Sequence, residues 1–344
     1  MAMVDLKDFS LSELERELPQ ISAEKFRAKQ IFSWIYQKGV FDFDRMTNLP
    51  AELRNKLKDK FFIIGFKLVK KSISRDQTQK LLMGLDDGNL IESVIIPADD
   101  RVTGCVSSQA GCKYACGFCA SGASGFKRNL TCGEMMEQVL LIKCNSEGNK
   151  LTHIVFMGTG EPLDNYDNVL KAIRIINSKE SLNIGQRRIT ISTCGLVPQI
   201  RKLAKEGLQV ELSVSLHAAD DLTRSRIMPI NKKYPLKELI GALREYIKDT
   251  NRQVTFEYTM IKGLNSDLQS AKNLVKLIAG LEAKVNLIPC NPIKELGLEP
   301  PGKVDILMFR DMLIKSDVNV TLRSSRGQDI EAACGQLRLR ESQK

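Results

Sequence analysis

From residue 102 onward the sequence switches repeatedly between two periods, and this alternation restricts the fold more than any other feature. Runs of β-branched and apolar residues predict strands at Val102–Ser107, Thr152–Met157, Arg188–Thr193, Gln209–Leu216, Gln253–Met260, Lys284–Ile288 and Asn319–Leu322. Amphipathic stretches between them predict helices at Glu134–Lys143, Val169–Ser178, Pro198–Lys205, Leu236–Lys248, Leu268–Ile278 and Val304–Ile314. Thr131 with Glu134 forms a capping box before the first of these. Strand and helix in turn over about 230 residues call for a parallel α/β sheet, and a partial or full barrel fits. Such folds place their site at the C-terminal ends of the strands.

The first 100 residues read differently. Ser10-Leu-Ser-Glu13 is a capping box that opens a helix over Leu11–Leu18. Ser22 is expected to cap a second helix with Phe26, Ile31 and Ile35 on its apolar face, ended by Gly39. Asn48 and Pro50 open a third, Ala51–Lys60. Strands follow at Phe62–Ser74, Gln79–Leu85 and Asn89–Pro97, the last two joined by the turn Asp86-Asp87-Gly88. The expected organisation is a helical unit over 1–60, a β-extension over 61–97, a core over 98–337 and a tail over 338–344. The helical unit is compatible with docking RNA or simply with packing on the core.

Composition narrows the class. With 43% hydrophobic and 27% charged residues in 344, the chain can bury a substantial core, and disorder is excluded. No apolar run approaches the roughly 18 residues of a membrane span, and no signal-peptide pattern precedes residue 20, so a cytoplasmic, reducing location is expected. Lys and Arg number 51 against 41 acidic residues, a net +10, of which +8 falls in residues 96–344. A basic excess suits an anionic partner such as nucleic acid, or a merely solvated surface. Nine cysteines in a reducing compartment call for metal, catalysis or core packing.

Three of them share one loop, Cys112-Lys-Tyr-Ala-Cys116-Gly-Phe-Cys119, behind the first core strand. Gly111, Gly117 and Gly122 let its backbone wrap around a ligand. Three thiolates on so short a loop point to a soft metal centre. Zinc would need a fourth ligand, and no second cysteine pair or nearby histidine supplies one. An iron–sulfur cluster held by three cysteines leaves one iron open.

The spacing C-x3-C-x2-C, with an aromatic residue before the last cysteine, resembles the radical S-adenosylmethionine (SAM) superfamily. There SAM chelates the open iron of a [4Fe-4S] cluster and is cleaved by one electron to a 5′-deoxyadenosyl radical. Gly158-Thr-Gly160-Glu161-Pro162, after the second core strand, resembles that superfamily's segment for the SAM amino group. Further segments come in matching order: Val106-Ser-Ser-Gln109-Ala-Gly111-Cys112, Gly125-Phe-x-Arg128-Asn129-Leu130, Ile191-Ser-Thr193, Ser215-Leu-His217-Ala218, Met228-Pro-Ile-Asn231, Leu287-Ile-Pro289-x-Asn291-Pro292 and Ala333-Cys334-Gly335-Gln336-Leu337. Together they resemble the RlmN family of RNA adenine-C2 methyltransferases, over nearly the whole chain. The fold this implies is α/β, a radical SAM partial (β/α)6 barrel with a small N-terminal helical domain and a β-extension.

The resemblance implies 2-methyladenosine formation at adenosine 2503 of 23S rRNA and adenosine 37 of some tRNAs, with two SAM consumed per turnover. It assigns Cys112, Cys116 and Cys119 to the cluster, and Gly160, Glu161, Ser192, Ser215, Leu216, His217 and Asn291 to SAM. It makes Cys334 the methyl carrier, Cys105 the cysteine that resolves the protein–RNA adduct through a transient disulfide, and Glu92 the proton acceptor. Adenine C2 is electron-poor and lacks a nucleophilic lone pair, so a radical route suits it. Glu92 stands among apolar residues, a setting that raises a carboxylate pKa. The family also implies a flavodoxin-type electron donor, and a monomer is the default. Two rivals stand beside this reading: the related C8-methylating resistance enzymes, and a zinc-bearing RNA-binding protein without catalysis. Asp99-Asp100-Arg101 and the intact Gly-Glu-Pro favour C2 over C8. Outside the motifs, Cys144 with Met136 and Leu140 reads as core, as does Trp34, and His153 reads as a structural residue at a strand start. Arg187/Arg188, Lys232/Lys233 and Arg323/Arg326 are candidate phosphate contacts or a solvated face.

Overall fold

The computed structural model describes residues 3–63, 65–123, 125–146, 148, 150–291 and 297–337. The expected tail over 338–344 and Pro292 lie outside the described residues. After a two-residue strand β1 (Val4–Asp5), helix α1 (Leu11–Glu17) starts at the expected capping box: Glu13 N donates to Ser10 Oγ and Ser10 N to Glu13 Oε2. Ser22 does not cap a helix. It takes the left-handed conformation, φ 56°, and closes a 3-10 turn instead. Helix α2 (Arg27–Phe32) therefore begins later, without a side-chain cap, and widens into a π-helical turn over Ser33–Gln37. Helix α3 (Ala51–Lys60) matches its expected bounds and ends at β2 (Phe61–Phe62), which pairs with β1.

The β-extension is continuous with the core. Strands β3 (Lys67–Ile73), β4 (Gln79–Gly84) and β5 (Leu90–Ala98) run antiparallel, and β5 pairs with β6 (Arg101–Cys105). After β6 the chain forms β7 (Gln109–Gly111), the short helix α4 (Ala120–Ala123) and β8 (Phe126–Asn129), and the sheet continues from β6 in parallel through β9 (His153–Phe156), β10 (Ile189–Thr193), β11 (Glu211–Ser215), β12 (Val254–Met260), β13 (Ala283–Pro289) and β14 (Asn319–Leu322). The order is β14-β13-β12-β11-β10-β9-β6-β5-β4-β3, an open ten-stranded sheet. The crossovers carry α5 (Cys132–Asn145), α6 (Tyr166–Asn177), α7 (Val197–Ala204), α8 (Asp221–Ile227) with α9 (Leu236–Thr250), α10 (Leu268–Ile278) and α11 (Lys303–Lys315). These are six β/α units closed by a seventh parallel strand.

The sheet curls on itself: Val94 and Ile96 of β5 line the same cavity as Thr321 of β14. Its two faces differ because successive side chains of a strand point to opposite sides. Ile154, Phe156, Leu212, Val214, Phe256, Val285 and Leu287 join the main buried apolar cluster, on the helix side. Thr103, Thr190, Ser213, Thr255 and Asn286 line the lumen. The barrel therefore holds a chamber of about 410 Å³, lined by polar and apolar side chains, rather than a filled core.

The N-terminal helices are fastened to α5. Leu6, Phe32 and Ile35 belong to one apolar cluster with Met135, Met136 and Val139. Buried Lys7 stands 3.2 Å from Asp5 and 3.4 Å from Glu137, and Asp8 Oδ1 accepts from Gly133 N at the start of α5. Among the described residues no helix is long and apolar enough to cross a membrane.

Candidate active site

The three-cysteine loop is suspended from a short ribbon the sequence did not announce, β7 (Gln109–Gly111) paired with β8 (Phe126–Asn129). Other parts of the fold hold the loop in place. Cys112 N donates to Gly125 O, Gly117 N to Ile227 O at the end of α8, and Ala120 N to Gly335 O. Cys112, Cys116 and Cys119 are half-buried, free of disulfides, and open onto one cavity. Gly160, Glu161, Ser192, Ser215, His217 and Asn291 line the same cavity. Six of the seven residues expected to bind SAM thus meet the three cysteines. Leu216 does not: its side chain is fully buried, its N–H donates to Glu257 O, and its carbonyl accepts from Arg224 Nε.

The donor set fits an iron–sulfur cluster. Thiolates are its natural ligands, and three cysteines around one cavity leave an iron free for a second molecule. Among the described residues no three His, Cys, Asp or Glu side chains converge as a single metal ion requires. A cluster instead places each thiolate on a different iron. Burial, then the neighbouring Cys119 thiol, pushes Cys112 up to about 11; burial and the same neighbour push Cys116 higher still. Binding a cluster here at neutral pH would therefore displace thiol protons.

The Gly-Thr-Gly-Glu-Pro segment lies flat against the chain leaving β6. A Cβ on Gly158 would stand 2.6 Å from Ser107 Oγ and 2.8 Å from Ser107 N. Gly160 has φ 105°, and a Cβ there would stand 2.5 Å from Gln109 Cβ. Only glycine permits this approach and this backbone. Glu161 N donates to Gln109 Oε1, while its carboxylate accepts from Leu163 N and Cys194 N. Burial raises its pKa against those hydrogen bonds.

His217 is held neutral. Its Nδ1 accepts from Thr259 N at 2.9 Å, which puts the ring proton on Nε2. Burial, with Arg224 nearby, pushes its pKa down to about 3. The ring meets Phe118 of the cysteine loop edge-on at 4.5 Å. Arg224 of α8, fully buried, was invisible to sequence reasoning. It donates to the carbonyls of Cys194, Ser215 and Leu216 and to Asn231 Oδ1, tying the C-terminal ends of β10 and β11 together. The Met228-Pro-Ile-Asn231 segment signalled this only through Asn231.

Cys105 and Cys334, 229 positions apart in the chain, line the lumen cavity together. Cys105 is buried at the end of β6; Cys334 is exposed on the loop after β14 and also faces the first cavity. Two clamps hold that loop. On one side Ser74 Oγ and Arg75 N donate to Asp329, and Lys80 Nζ to Glu331 O, so the β-extension supports it. On the other, Asn291 Nδ2 donates to Cys334 O and Ser121 Oγ to Leu337 O. Burial raises the Cys105 thiol to about 12, the Cys334 thiol adding to the shift; Cys334 is also raised by its protein surroundings, although its surface opens into the cavity. Arg323 opposes both shifts.

Glu92 is buried on β5, two residues from Val94, which pairs with Cys105 and lines the lumen. Its surroundings are not purely apolar as expected. Lys80 Nζ lies 3.1 Å from its carboxylate, a partner one strand away that local sequence could not reveal. The core reading of Cys144 is corrected too. Cys144 is exposed, at the end of α5 rather than in the core. Trp34 is half-buried, with Nε1 donating to Asn48 Oδ1. His153 starts β9, as expected, and also lines the lumen. Cys194 and Cys290 are buried beside the first cavity, and Cys132 is buried in α5.

Comparisons with known proteins agree with this architecture. Residues 106–275 match the radical SAM superfamily, and residues 4–63 match the ribosomal RNA large subunit methyltransferase N-terminal domain. A probable dual-specificity RNA methyltransferase RlmN of Clostridium novyi (strain NT) is 47% identical, the match covering 98% of both chains. The corresponding Thermotoga neapolitana protein is 46% identical at the same coverage. The crystal structure of a radical SAM methyltransferase from Sphaerobacter thermophilus superposes with a TM-score of 0.94 at 44% identity, covering 98% of this chain and 100% of that one.

Proposed function

The chain belongs to the RlmN family of radical SAM RNA methyltransferases, and from that premise we propose that it converts adenosine to 2-methyladenosine in RNA, at adenosine 2503 of 23S rRNA and adenosine 37 of tRNA. It is an enzyme that uses a [4Fe-4S] cluster and SAM. Cys112, Cys116 and Cys119 would hold the cluster, while Gly160, Glu161, Ser192, Ser215, His217 and Asn291 surround the space for SAM; Leu216 supports that wall from behind. When bound, the cluster supplies the electron that cleaves SAM to a hydrogen-abstracting radical.

The remaining chemistry belongs to the chain. Cys334, reachable from both cavities, gives up its thiol proton and accepts a methyl group from a first SAM. Loss of a hydrogen atom from that methyl leaves a methylene radical on Cys334, which adds to adenine C2. Glu92, held near Lys80, takes the C2 proton, and the unpaired electron left on the ring would return to the oxidised cluster. Cys105, as its thiolate, then attacks the Cys334 sulfur, forming a disulfide as the S–CH2 bond breaks; the released carbon takes the bonding pair and gains a proton to become the methyl group. A reductant must restore both thiols, which suits a cytoplasmic location. In this reading residues 1–60 dock RNA, 61–97 form the β-extension and 98–337 the catalytic core, a flavodoxin-type protein donates electrons, and the chain acts as a monomer.

The observation that carries the proposal is the meeting of Cys105 and Cys334 in a chamber whose upper wall bears Cys119 of the three-cysteine loop. Nucleoside mass spectrometry on rRNA and tRNA from a deletion strain tests it, with loss of 2-methyladenosine expected and loss of 8-methyladenosine overturning the C2 assignment. Purified C105A enzyme should accumulate a covalent RNA adduct through Cys334. Normal turnover by C105A would remove its resolving role.

A further inference from the structure

Two cavities meet at the methyl-carrying cysteine, and the seam between them contains an ion pair that no step above employs. Arg323, Glu257 and Cys334 each line both cavities. Glu257 rises from β12 into the lumen, only 5% exposed. Its Oε1 accepts from Asn286 Nδ2 at 3.0 Å, but its Oε2 is buried without a hydrogen-bond partner. Arg323 Nη1 stands 3.8 Å from that oxygen, attracted but beyond hydrogen-bond reach. The backbone fixes this arrangement: Arg323 N donates to Leu287 O on β13, just past the end of β14. A buried carboxylate oxygen without a hydrogen bond is destabilising, so an approaching ligand that draws the pair together or bridges it relieves that cost.

The rest of the inference depends on the adenine-C2 reading. When the Cys334 methylene adds to C2, one C–C bond forms from the radical electron and one electron of the ring π-system. The unpaired electron then resides on the ring, largely at the nitrogens flanking C2. A cationic donor on either nitrogen stabilises that density and makes C2 more receptive to an electron-rich carbon radical. We propose that Arg323, aimed by Glu257, donates a hydrogen bond to a ring nitrogen beside C2 of the target adenine and so promotes addition of the Cys334 methylene. Arg323 is then the donor to the base and Glu257 a positioning residue.

The test uses the full-length, cluster-loaded enzyme with substrate RNA and the variants R323Q, R323K, E257Q and R323Q/E257Q. Four quantities are read: methyl on Cys334 by intact mass, 5′-deoxyadenosine released, methyladenosine formed, and RNA affinity. R323Q should keep Cys334 methylation, SAM cleavage and RNA affinity, while methyladenosine per SAM cleaved falls about 100-fold, as for loss of one preorganised donor. R323K, which keeps the charge without the fork, should fall between. E257Q should also uncouple cleavage from product, and the double variant should be no worse than R323Q, because the two act as one unit. An unchanged product ratio, loss in proportion to RNA affinity, loss of Cys334 methylation, or additive effects would each overturn the role. Absence of methyladenosine from the wild-type enzyme would instead refute the reaction assigned to the chain.

Discussion

His217 shows how one side chain couples the site to stability. Its Nδ1 receives the Thr259 N–H, and burial followed by the Arg224 charge holds its pKa near 3 against an ordinary 6.5. Between those values the unfolded chain binds a proton that the native ring refuses, so stability rises with pH there and is lost as pH falls below about 6.5. At pH 5 the loss is about 2 kcal/mol, 1.5 pH units at 1.36 kcal/mol each. Urea titrations at pH 7 and pH 5 should show a larger drop for the wild type than for H217N, since asparagine tolerates the left-handed backbone of this position, φ 57°. Equal drops would refute the assignment. The family motifs singled out from sequence residues that the fold gathers around the two cavities: His217, the three loop cysteines and the Cys105/Cys334 pair. They left Glu257, Arg323 and Lys80 unconnected to the chemistry. Those contacts come from sheet register, Glu257 opposite Asn286 and Leu287 opposite Leu322, which no local pattern encodes.

At the scale of elements, periodicity recovered the strands and helices of the core to within one to three residues, because each carries a β-branched run or an apolar stripe. It missed α8, whose Asp-Leu-Thr-Arg-Ser-Arg-Ile sequence has no such stripe and leaves Leu222 86% exposed. This helix nonetheless carries Arg224, and the Ile227 carbonyl at its end receives Gly117 N from the cysteine loop. It also missed the three-residue β7, too short for alternation to register. Replacing Arg224 by leucine would strand the carbonyls of Cys194, Ser215 and Leu216 inside the fold. At about 1–3 kcal/mol for each unsatisfied group, R224L should lose at least about 3 kcal/mol and melt several degrees lower. It should also bind SAM more weakly, since β10 and β11 would no longer be tied. A melting curve superimposable on the wild type would refute this.

Over the whole molecule, one apolar cluster extends from Leu6 to Leu313 and includes both the N-terminal helices and the barrel's outer layer. The sequence divided these into separate units because period and composition change near residue 60; the shared cluster arises from α5, whose buried face serves both. Calorimetry of the full chain should therefore record a single cooperative transition, and two resolved peaks would contradict it. The alternating faces of the seven parallel strands have an evolutionary corollary. Residues such as Thr190, Ser213, Thr255 and Lys284 touch the chamber, while their neighbours Ile191, Leu212, Val214, Phe256 and Val285 hold the helices. A descendant chain can therefore exchange its lining residue by residue, acquiring new selectivity while its scaffold stays the same.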